Sequence, residues 1–178
     1  MILDLGDIYI GGIVAEVNYC KLYGDLVKYA VPLIEALREG DLEVGMAVCK
    51  VDNKLYLSNR RIIGLAGTYI YRCDVGETDA FVHSHILSDK ASLKDHISSI
   101  KNNVPRMCII YKAKDGEHIR CYSYENLSPK EKEELVAEMM KIQLEIEKNG
   151  KEKLEEYKKA MEKYDKKFFL CDEKIEEE

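Results

Sequence analysis

The sequence predicts an α/β fold in which helices flank a mixed β-sheet, followed by a C-terminal helical extension. Before Ser128, short apolar runs typical of strands alternate with stretches of helical periodicity. After Ser128, Lys and Glu dominate and the strand-like runs end. Hydrophobic residues make up 46% of the 178-residue chain, which suffices for one domain with a substantial core plus an extension.

The N-terminal part is predicted to form a strand and then a helix. Residues 7–17 are typical of a strand, and Gly11-Gly12 indicates a bend or bulge within it. A helical stretch follows over 25–39. Pro32 is expected to start or kink its second half, because proline has no backbone N–H to donate. Gly40 then ends the helix.

The central part is predicted to consist mainly of strands. Residues 43–51 and 54–58 are typical of a hairpin that turns at Asp52-Asn53. Further strands are expected over 68–73 and over the apolar run 79–85. These segments supply the first half of the predicted sheet.

A helix and a second hairpin complete the predicted domain. The helix begins at Ser92, and its apolar stripe is expected to pack on the sheet. The stripe consists of Leu93, Ile97, Ile100 and Val104. Strand-like runs over 106–112 and 117–124 flank Asp115-Gly116, which is a strong hairpin signal.

The change of composition at Ser128 predicts a boundary between a domain over 1–127 and a helical extension over 128–170. The extension begins with a capping box and contains apolar residues at heptad-like spacing. The spacing shifts at Gly150, so the segment is either two helices joined there or one helix with a shifted seam. The acidic segment 171–178 is expected to form a frayed tail.

Two interpretations of the extension are open. Its helices either fold back on the domain or bind a partner, which includes a second copy of the chain in a homodimer. Its remaining positions are largely Lys and Glu, typical of a solvated helical face with i,i+4 pairing.

A zinc site is predicted from His83, His85 and Asp95. Side chains at i and i+2 point to one face of a strand, so both imidazoles can reach the same metal ion. Asp95, at the start of the next helix, supplies a carboxylate, with Asp89 as the alternative third ligand. Two histidines, one carboxylate and an open fourth position form the ligand set of a catalytic zinc ion.

Each part of this pattern also has a structural interpretation. A His-x-His pair occurs at ordinary polar strand edges. Ser92 followed by Asp95 is close to a helix capping box, and an acid in the first turn suits the helix dipole. The combination of the two segments is more specific than either of them.

The segments His83-Ser84-His85 and Ser92-Leu93-Lys94-Asp95 resemble the motif of the JAMM (MPN-plus) zinc metalloproteases. That motif consists of a glutamate, His-Ser/Thr-His-Pro, a spacer and Ser-x-x-Asp. Glu43 resembles the family's glutamate in position. The resemblance covers roughly residues 25–125 and implies a JAMM-like (cytidine-deaminase-like) sheet in the domain over 1–127.

The sequence departs from the family pattern at two points. Ile86 stands where the family has a proline, and the spacer between His85 and Asp95 is one residue shorter and lacks the second proline. Neither change removes a metal ligand. Both affect the loop that follows the histidine strand.

The resemblance implies a mechanism and a substrate. Glu43 would act as general base and Ser92 would donate a hydrogen bond to the oxyanion, while zinc activates a water molecule. The alternation of side chains along a strand supports Glu43 as the general base. Gly45 and Ala47 share its face, and these small residues leave room beside the metal. The bond cleaved would be an isopeptide or peptide bond C-terminal to a ubiquitin-like protein, which makes such a protein or its conjugates the expected partner.

Composition excludes several other functions. The formal charge is −6 and the sequence has no stripe of basic residues, so it does not indicate nucleic-acid binding. No apolar run is long enough to span a bilayer. The N-terminus lacks the basic region of a signal peptide, so a cytoplasmic location is expected. Scarce glutamine (Gln143 alone), with abundant Lys, Glu and Ile, favours a thermophilic, archaeal source.

The six cysteines are predicted to be reduced thiols in the core, because none are spaced as Cys-x-x-Cys and most lie in strand-like apolar runs. A zinc cluster and a disulfide framework are the alternatives. Intracellular disulfides do occur in hyperthermophiles.

Two functions compete with the isopeptidase. One is a non-catalytic MPN-like scaffold that binds a partner through the C-terminal helices. The other is a zinc hydrolase of a different class, such as a deaminase, but the His-x-Glu and Pro-Cys-x-x-Cys segments of deaminases are absent from the sequence.

Overall fold

The computed structural model describes residues 17–65 and 72–176, together with the backbone of three short strands nearer the N-terminus. The described residues form a mixed sheet of eight strands, and helices cover both of its faces. This confirms the predicted α/β class. Within the described residues, no helix combines the length and the apolar character needed to cross a bilayer.

The described strands are β1 (Ile2–Asp4), β2 (Tyr9–Ile10), β3 (Ile13–Val14), β4 (Glu43–Val51), β5 (Lys54–Leu57), β6 (Ile62–Gly64), β7 (Glu77–Ser84), β8 (Arg106–Ala113), β9 (Gly116–Ser123) and β10 (Phe169–Lys174). The described α-helices are α1 (Tyr19–Val27), α2 (Val31–Glu39), α3 (Leu93–Lys101), α4 (Pro129–Asn149) and α5 (Leu154–Phe168). The order across the sheet is β1-β5-β4-β7-β8-β9-β10, and β6 lies beside the start of β4. Within this sheet the pairing of β7 with β8 is parallel and the other described pairs are antiparallel.

The strands near the N-terminus and before β7 differ from the predicted ones where the structure describes these residues. Instead of one strand over 7–17, β2 and β3 form an antiparallel pair, and Gly11-Gly12 between them lies outside the described residues. Of the strand predicted over 68–73, residues 68–71 also lie outside the description, and residues 72–73 are not in a strand. The strand that pairs with the beginning of β4 is β6, which the sequence did not predict.

The first helical segment is broken, as predicted, at Pro32. Pro32 lies in the first turn of α2, where its missing N–H is not needed, and a short 3₁₀ turn over 28–30 separates α2 from α1. The segment begins earlier than predicted, because the side chain of Asn18 caps α1 by accepting a hydrogen bond from the backbone N–H of Lys21 at 3.1 Å.

Both predicted hairpins are confirmed. The β4–β5 turn is formed by Asp52 and Asn53, with φ of 48° and 63°. Two consecutive positive φ values are typical of a type I′ turn, which Asn and Asp tolerate better than most residues. The β8–β9 turn uses Gly116 at φ 127°, a conformation that L side chains rarely adopt.

The two faces of β4 contribute to two different cores. Val44, Met46 and Val48 pack with α1 and α2, whereas Ala47 and Cys49 pack with α3 and the C-terminal helices. The second core includes the predicted stripe residues Leu93, Ile97, Ile100 and Val104. The strand parity that placed Glu43 and Ala47 on one face is therefore confirmed.

The C-terminal segment folds back on the domain as two helices. Gly150, at φ 55°, follows the end of α4, and Leu135, Tyr164 and Phe168 are buried in the second core. A partner or a second copy bound through these helices stays a prediction. The frayed tail predicted over 171–178 is wrong for residues 171–174, which belong to β10 and pair with β9, and residues 177–178 lie outside the described residues. Ile175, just after β10, is 2% exposed.

The prediction of reduced cysteines is wrong. Three disulfides are present, namely Cys20–Cys171, Cys49–Cys73 and Cys108–Cys121. Cys20–Cys171 and Cys49–Cys73 join segments that only the tertiary structure brings together, and cysteine spacing does not indicate such contacts. Cys108 and Cys121 lie directly opposite each other in the predicted β8–β9 hairpin.

His118 links β9 to β10 and to the β8–β9 turn. Its Nδ1 lies 2.9 Å from Asp172 Oδ1 and its Nε2 lies 2.7 Å from Asp115 Oδ1. Burial alone would lower the pKa of His118, but hydrogen bonds to the two carboxylates outweigh it and raise the pKa above its usual value.

We expect the Cys20–Cys171 disulfide to stabilise the protein more than Cys49–Cys73 does. The chain-entropy model ties stabilisation to loop length, and the sequence separations are 151 and 24. Replacing both cysteines of a pair with Ala should lower the free energy of unfolding by about 5 kcal/mol in the first case and about 3 kcal/mol in the second. Guanidinium denaturation of the oxidised proteins measures both. Equal losses would contradict the entropic account.

We also expect His118 to stabilise the fold more at low pH. A pKa raised on folding contributes stability below the unfolded value of about 6.5, and this contribution is lost as the pH rises through the folded pKa. The difference in unfolding free energy between wild type and His118→Gln should therefore shrink from pH 6 to pH 9. Denaturant titrations at both pH values test this, and a difference that is constant or grows would refute it.

Candidate metal centre

The candidate site lies at the sheet edge where β7 and β8 end. These strands are parallel, so their C-terminal ends meet at the same edge. His83 lies near the end of β7, and His85, just beyond it, continues the pairing through a backbone hydrogen bond from its N–H to Ile110 O at 2.8 Å. The chain then enters α3 at the same edge, which places Asp95 in the first turn of that helix beside the histidines.

The three predicted ligands converge. His83 Nε2 and His85 Nε2 are 3.0 Å apart, and they lie 3.3 and 3.2 Å from the two carboxylate oxygens of Asp95. Ligand atoms bound at about 2.0–2.1 Å to a tetrahedral zinc ion are about 3.3–3.4 Å from one another. The separations therefore fit one zinc ion. The alternative ligand, Asp89, has an exposed side chain that lies 3.6 Å from Lys90 Nζ instead.

The surroundings of the histidines orient their rings. His85 Nδ1 lies 3.1 Å from the backbone carbonyl of Ser88, which favours the tautomer with the proton on Nδ1 and the lone pair of Nε2 towards the site. Ser84, between the histidines, points to the other face, where its Oγ accepts a hydrogen bond from Val44 N–H at 2.9 Å. Within the described part of the chain, the buried His83 Nδ1 has no hydrogen-bond partner.

Ser92 and Asp95 form a complete capping box. Ser92 Oγ accepts a hydrogen bond from Asp95 N–H at 3.1 Å, and Asp95 Oδ2 accepts one from Ser92 N–H at 2.9 Å. The predicted cap is therefore confirmed. The capping box holds the Asp95 carboxylate towards the histidines, so the cap is compatible with a role of Asp95 as a metal ligand. A hydroxyl that accepts in this way keeps its own proton for donation.

Interactions within the site shift the pKa values of Asp95 and His83 in opposite directions. Burial alone would raise the pKa of Asp95, but His83 and His85 hold it well below its usual value. Burial would likewise lower the pKa of His83, and it is outweighed by Asp95 and by the charge of Glu43, which raise it. The three ligand residues are at most 8% exposed, so these charges act with little screening by solvent.

Glu43 lies on the strand next to the histidines. In the β4–β7 register Gly45 is opposite His83, and Glu43 is two residues along on the same face. Its carboxylate is close enough to His83 to raise the pKa of that imidazole. The structure thus brings Glu43 to the site edge beside the three ligands.

His96, adjacent to Asp95 in the sequence, does not face the ligands. Its Nδ1 lies 2.7 Å from Tyr124 Oη, and its ring packs against Phe168 with centroids 4.9 Å apart. Burial lowers the pKa of His96 to about 4, so it is neutral at pH 7 and belongs to the second core.

Arg38 supports the backbone of His85, a role that the sequence did not reveal. Its Nε donates to His85 O at 3.0 Å, and its Nη1 and Nη2 donate to the two carboxylate oxygens of Glu117 at 2.7 and 2.8 Å. The Glu117 side chain is 1% exposed. An arginine near the end of an amphipathic helix gives no local signal of such a contact, because its partners are distant in sequence.

Tyr122 and Asp165 support the other side of the site and were also missed. Tyr122 Oη accepts a hydrogen bond from Ala91 N–H at 3.1 Å and donates to Asp165 Oδ1 at 2.5 Å. Arg120 Nη2 donates to Asp165 Oδ2 at 2.5 Å. The residue before Ser92 is therefore tied to α5, and the C-terminal extension helps to fix the start of α3.

Loss of Arg38 should destabilise the protein and weaken metal binding. Arg38→Met leaves Glu117 buried without its partner, which should cost about 3–5 kcal/mol of unfolding free energy. It also removes the donor to His85 O and should lower zinc affinity about tenfold. Denaturation and competition with a zinc-binding dye measure the two effects.

The matched control is Arg38→Met/Glu117→Met. It removes the unpaired charge as well, so it should regain most of the lost stability while zinc affinity stays low. If the double variant recovers both properties, Arg38 acts only through Glu117 and has no role in holding His85.

Comparisons of the chain with protein-family models, with curated proteins and with solved structures found no match. Similarity therefore assigns no family.

Proposed function

We propose that this protein is a zinc-dependent metallo-isopeptidase of the JAMM type. The observation that carries the proposal is the convergence of His83 Nε2, His85 Nε2 and the Asp95 carboxylate at zinc-ligand separations, with Glu43 on the adjacent strand. A structural cap alone requires only Ser92 and Asp95. It does not require two imidazole nitrogens turned towards the same carboxylate.

The fold is compatible with this proposal. His83 lies on the inner strand β7 of a mixed sheet and His85 just beyond its end, and the next helix in the chain is the one that Ser92 caps and that carries Asp95. This order corresponds to the one that the sequence resemblance implies for a JAMM-like (cytidine-deaminase-like) domain. The disagreement with the family at Ile86 affects the loop over 86–91, not the ligand positions.

His83, His85 and Asp95 would hold the zinc ion. When bound, zinc lowers the pKa of a coordinated water and polarises a carbonyl oxygen. Glu43 takes the proton from the attacking water and passes it to the leaving amine, which is the usual sequence of general-base and general-acid catalysis. Ser92 donates a hydrogen bond from its hydroxyl to the developing oxyanion, while its oxygen still accepts the cap hydrogen bond from Asp95 N–H.

The substrate class is an isopeptide or peptide bond that follows the C-terminus of a ubiquitin-like protein. Leu87, in the loop between the histidines and Ser92, is 96% exposed next to the site and offers an apolar contact for the substrate chain. Such a contact suits an apolar residue in an extended C-terminal segment.

Zinc content and amide hydrolysis together test the proposal. We expect about one zinc ion per chain by elemental analysis, lost in His83→Ala/His85→Ala. Glu43→Gln should keep the zinc and lower the turnover of a ubiquitin-like protein coupled to a fluorogenic amine by about 10²–10⁴-fold, because it removes the general base.

The control for Glu43→Gln is Glu39→Gln, which removes an exposed carboxylate at the end of α2 and should leave turnover unchanged. Absence of zinc after supplementation would refute the metalloprotease. A zinc-loaded protein that hydrolyses neither ubiquitin-like conjugates nor linear fusions would instead favour a non-catalytic scaffold.

A further inference from the structure

A second cluster of metal-ligand atoms lies in the first core, away from the histidines. The Sγ atoms of Cys20, Cys121 and Cys171 all lie within 4.8 Å of one another. They come from α1, β9 and β10, three elements that are distant in sequence. Two disulfides, Cys20–Cys171 and Cys108–Cys121, therefore lie side by side.

The sulfur positions are close to those of a thiolate metal site. Zinc–sulfur bonds of about 2.3 Å in tetrahedral geometry place sulfur atoms about 3.8 Å apart. Once the Cys20–Cys171 bond is broken, side-chain rotations can bring these two sulfur atoms to this separation, and Cys121 Sγ already lies within 4.8 Å of both.

We infer that reduction of these two disulfides converts the cluster into a binding site for a soft divalent metal ion of the zinc class, held by Cys20, Cys121 and Cys171. Thiolate ligands select such ions over magnesium and calcium. The site shares no residue with the histidine centre. It does not rest on the proposed hydrolytic function.

The conversion starts at the exposed end of the cluster. Cys171 is partly exposed on the edge strand β10, whereas Cys108 and Cys121 are fully buried. A thiolate of an external dithiol attacks Cys171 Sγ, the bond to Cys20 breaks, and Cys20 leaves as a thiolate. The second thiol of the reagent resolves the mixed disulfide and releases Cys171, and the reagent leaves as its own disulfide.

The buried Cys108–Cys121 disulfide is then attacked by the Cys20 thiolate rather than by the external reagent. The Cys20 thiolate lies within 4.8 Å of Cys121 Sγ, attacks it and displaces Cys108 as a thiolate. A second equivalent of dithiol completes the reduction. Each disulfide thus takes two electrons and two protons from one dithiol. On metal binding the thiols release their protons to solvent.

The bound metal ion holds together the elements that the Cys20–Cys171 disulfide joined before reduction. Cys20–Cys171 ties α1 to the C-terminal strand, and a metal bound by Cys20, Cys121 and Cys171 joins the same elements. Three thiolates with a divalent ion carry a net charge of −1. This costs less to bury than three unpaired thiolates would.

The experiment uses the full-length chain in the His83→Ala/His85→Ala background, which removes the first site. The protein is reduced with dithiothreitol, desalted without oxygen and titrated with Co²⁺. We expect thiolate-to-cobalt charge-transfer absorption that saturates at about one ion per chain, and none before reduction. Cys20→Ala/Cys121→Ala should abolish it. The matched control Cys49→Ala/Cys73→Ala, which removes the disulfide of the other core, should retain it.

A second measurement uses the wild-type sequence and does not depend on how a variant folds. Alkylation of the reduced protein, followed by mass spectrometry, should show that Zn²⁺ slows modification of Cys20, Cys121 and Cys171 at least about tenfold. Cys49 and Cys73 should react at the same rate with and without zinc. No charge-transfer band after reduction, or equal protection of all six cysteines, would overturn the inference.

Discussion

The parallel pairing of β7 with β8 is the constraint on which the rest of the structure depends. Parallel neighbours cannot be joined by a tight turn, so the chain must cross back over the sheet, and α3 makes this crossing. The crossing brings the first turn of α3 to the edge where β7 ends. Asp95 and the two histidines are therefore neighbours because of the topology, and the capping box then fixes the carboxylate at that point.

The site is supported from elements that contribute none of its ligands. Arg38 on α2 reaches the carbonyl of His85, and Tyr122 on β9 binds the backbone just before Ser92. Asp165 on α5 completes the second support. The C-terminal extension is therefore not an appendage. It forms part of the framework that holds the start of α3 against the histidine strand.

The return of the chain as β10 closes this framework. The strand pairs with β9 at the edge of the sheet, and Cys171 ties it covalently to α1. The same strand carries Asp172, which accepts hydrogen bonds from Tyr111 and from Arg120. The extension is thus attached to the sheet through β9 before it and β10 after it. Its buried side chains include Leu135, Met139, Tyr164 and Phe168, whereas Met140, Leu144 and Leu154 remain exposed.

The sequence by itself determined the features that depend on local spacing. Period-two parity placed Glu43 on the face of Ala47, the Ser92-Asp95 spacing determined the cap, and Asp115-Gly116 determined a hairpin. Only the tertiary structure decided the Cys20–Cys171 and Cys49–Cys73 disulfides, the pairing of β10 with β9 and the contacts of Arg38, since each joins residues that no predicted local element brings together. The physical reason is that local patterns record backbone geometry, whereas pairing between distant segments depends on how the sheet orders its strands.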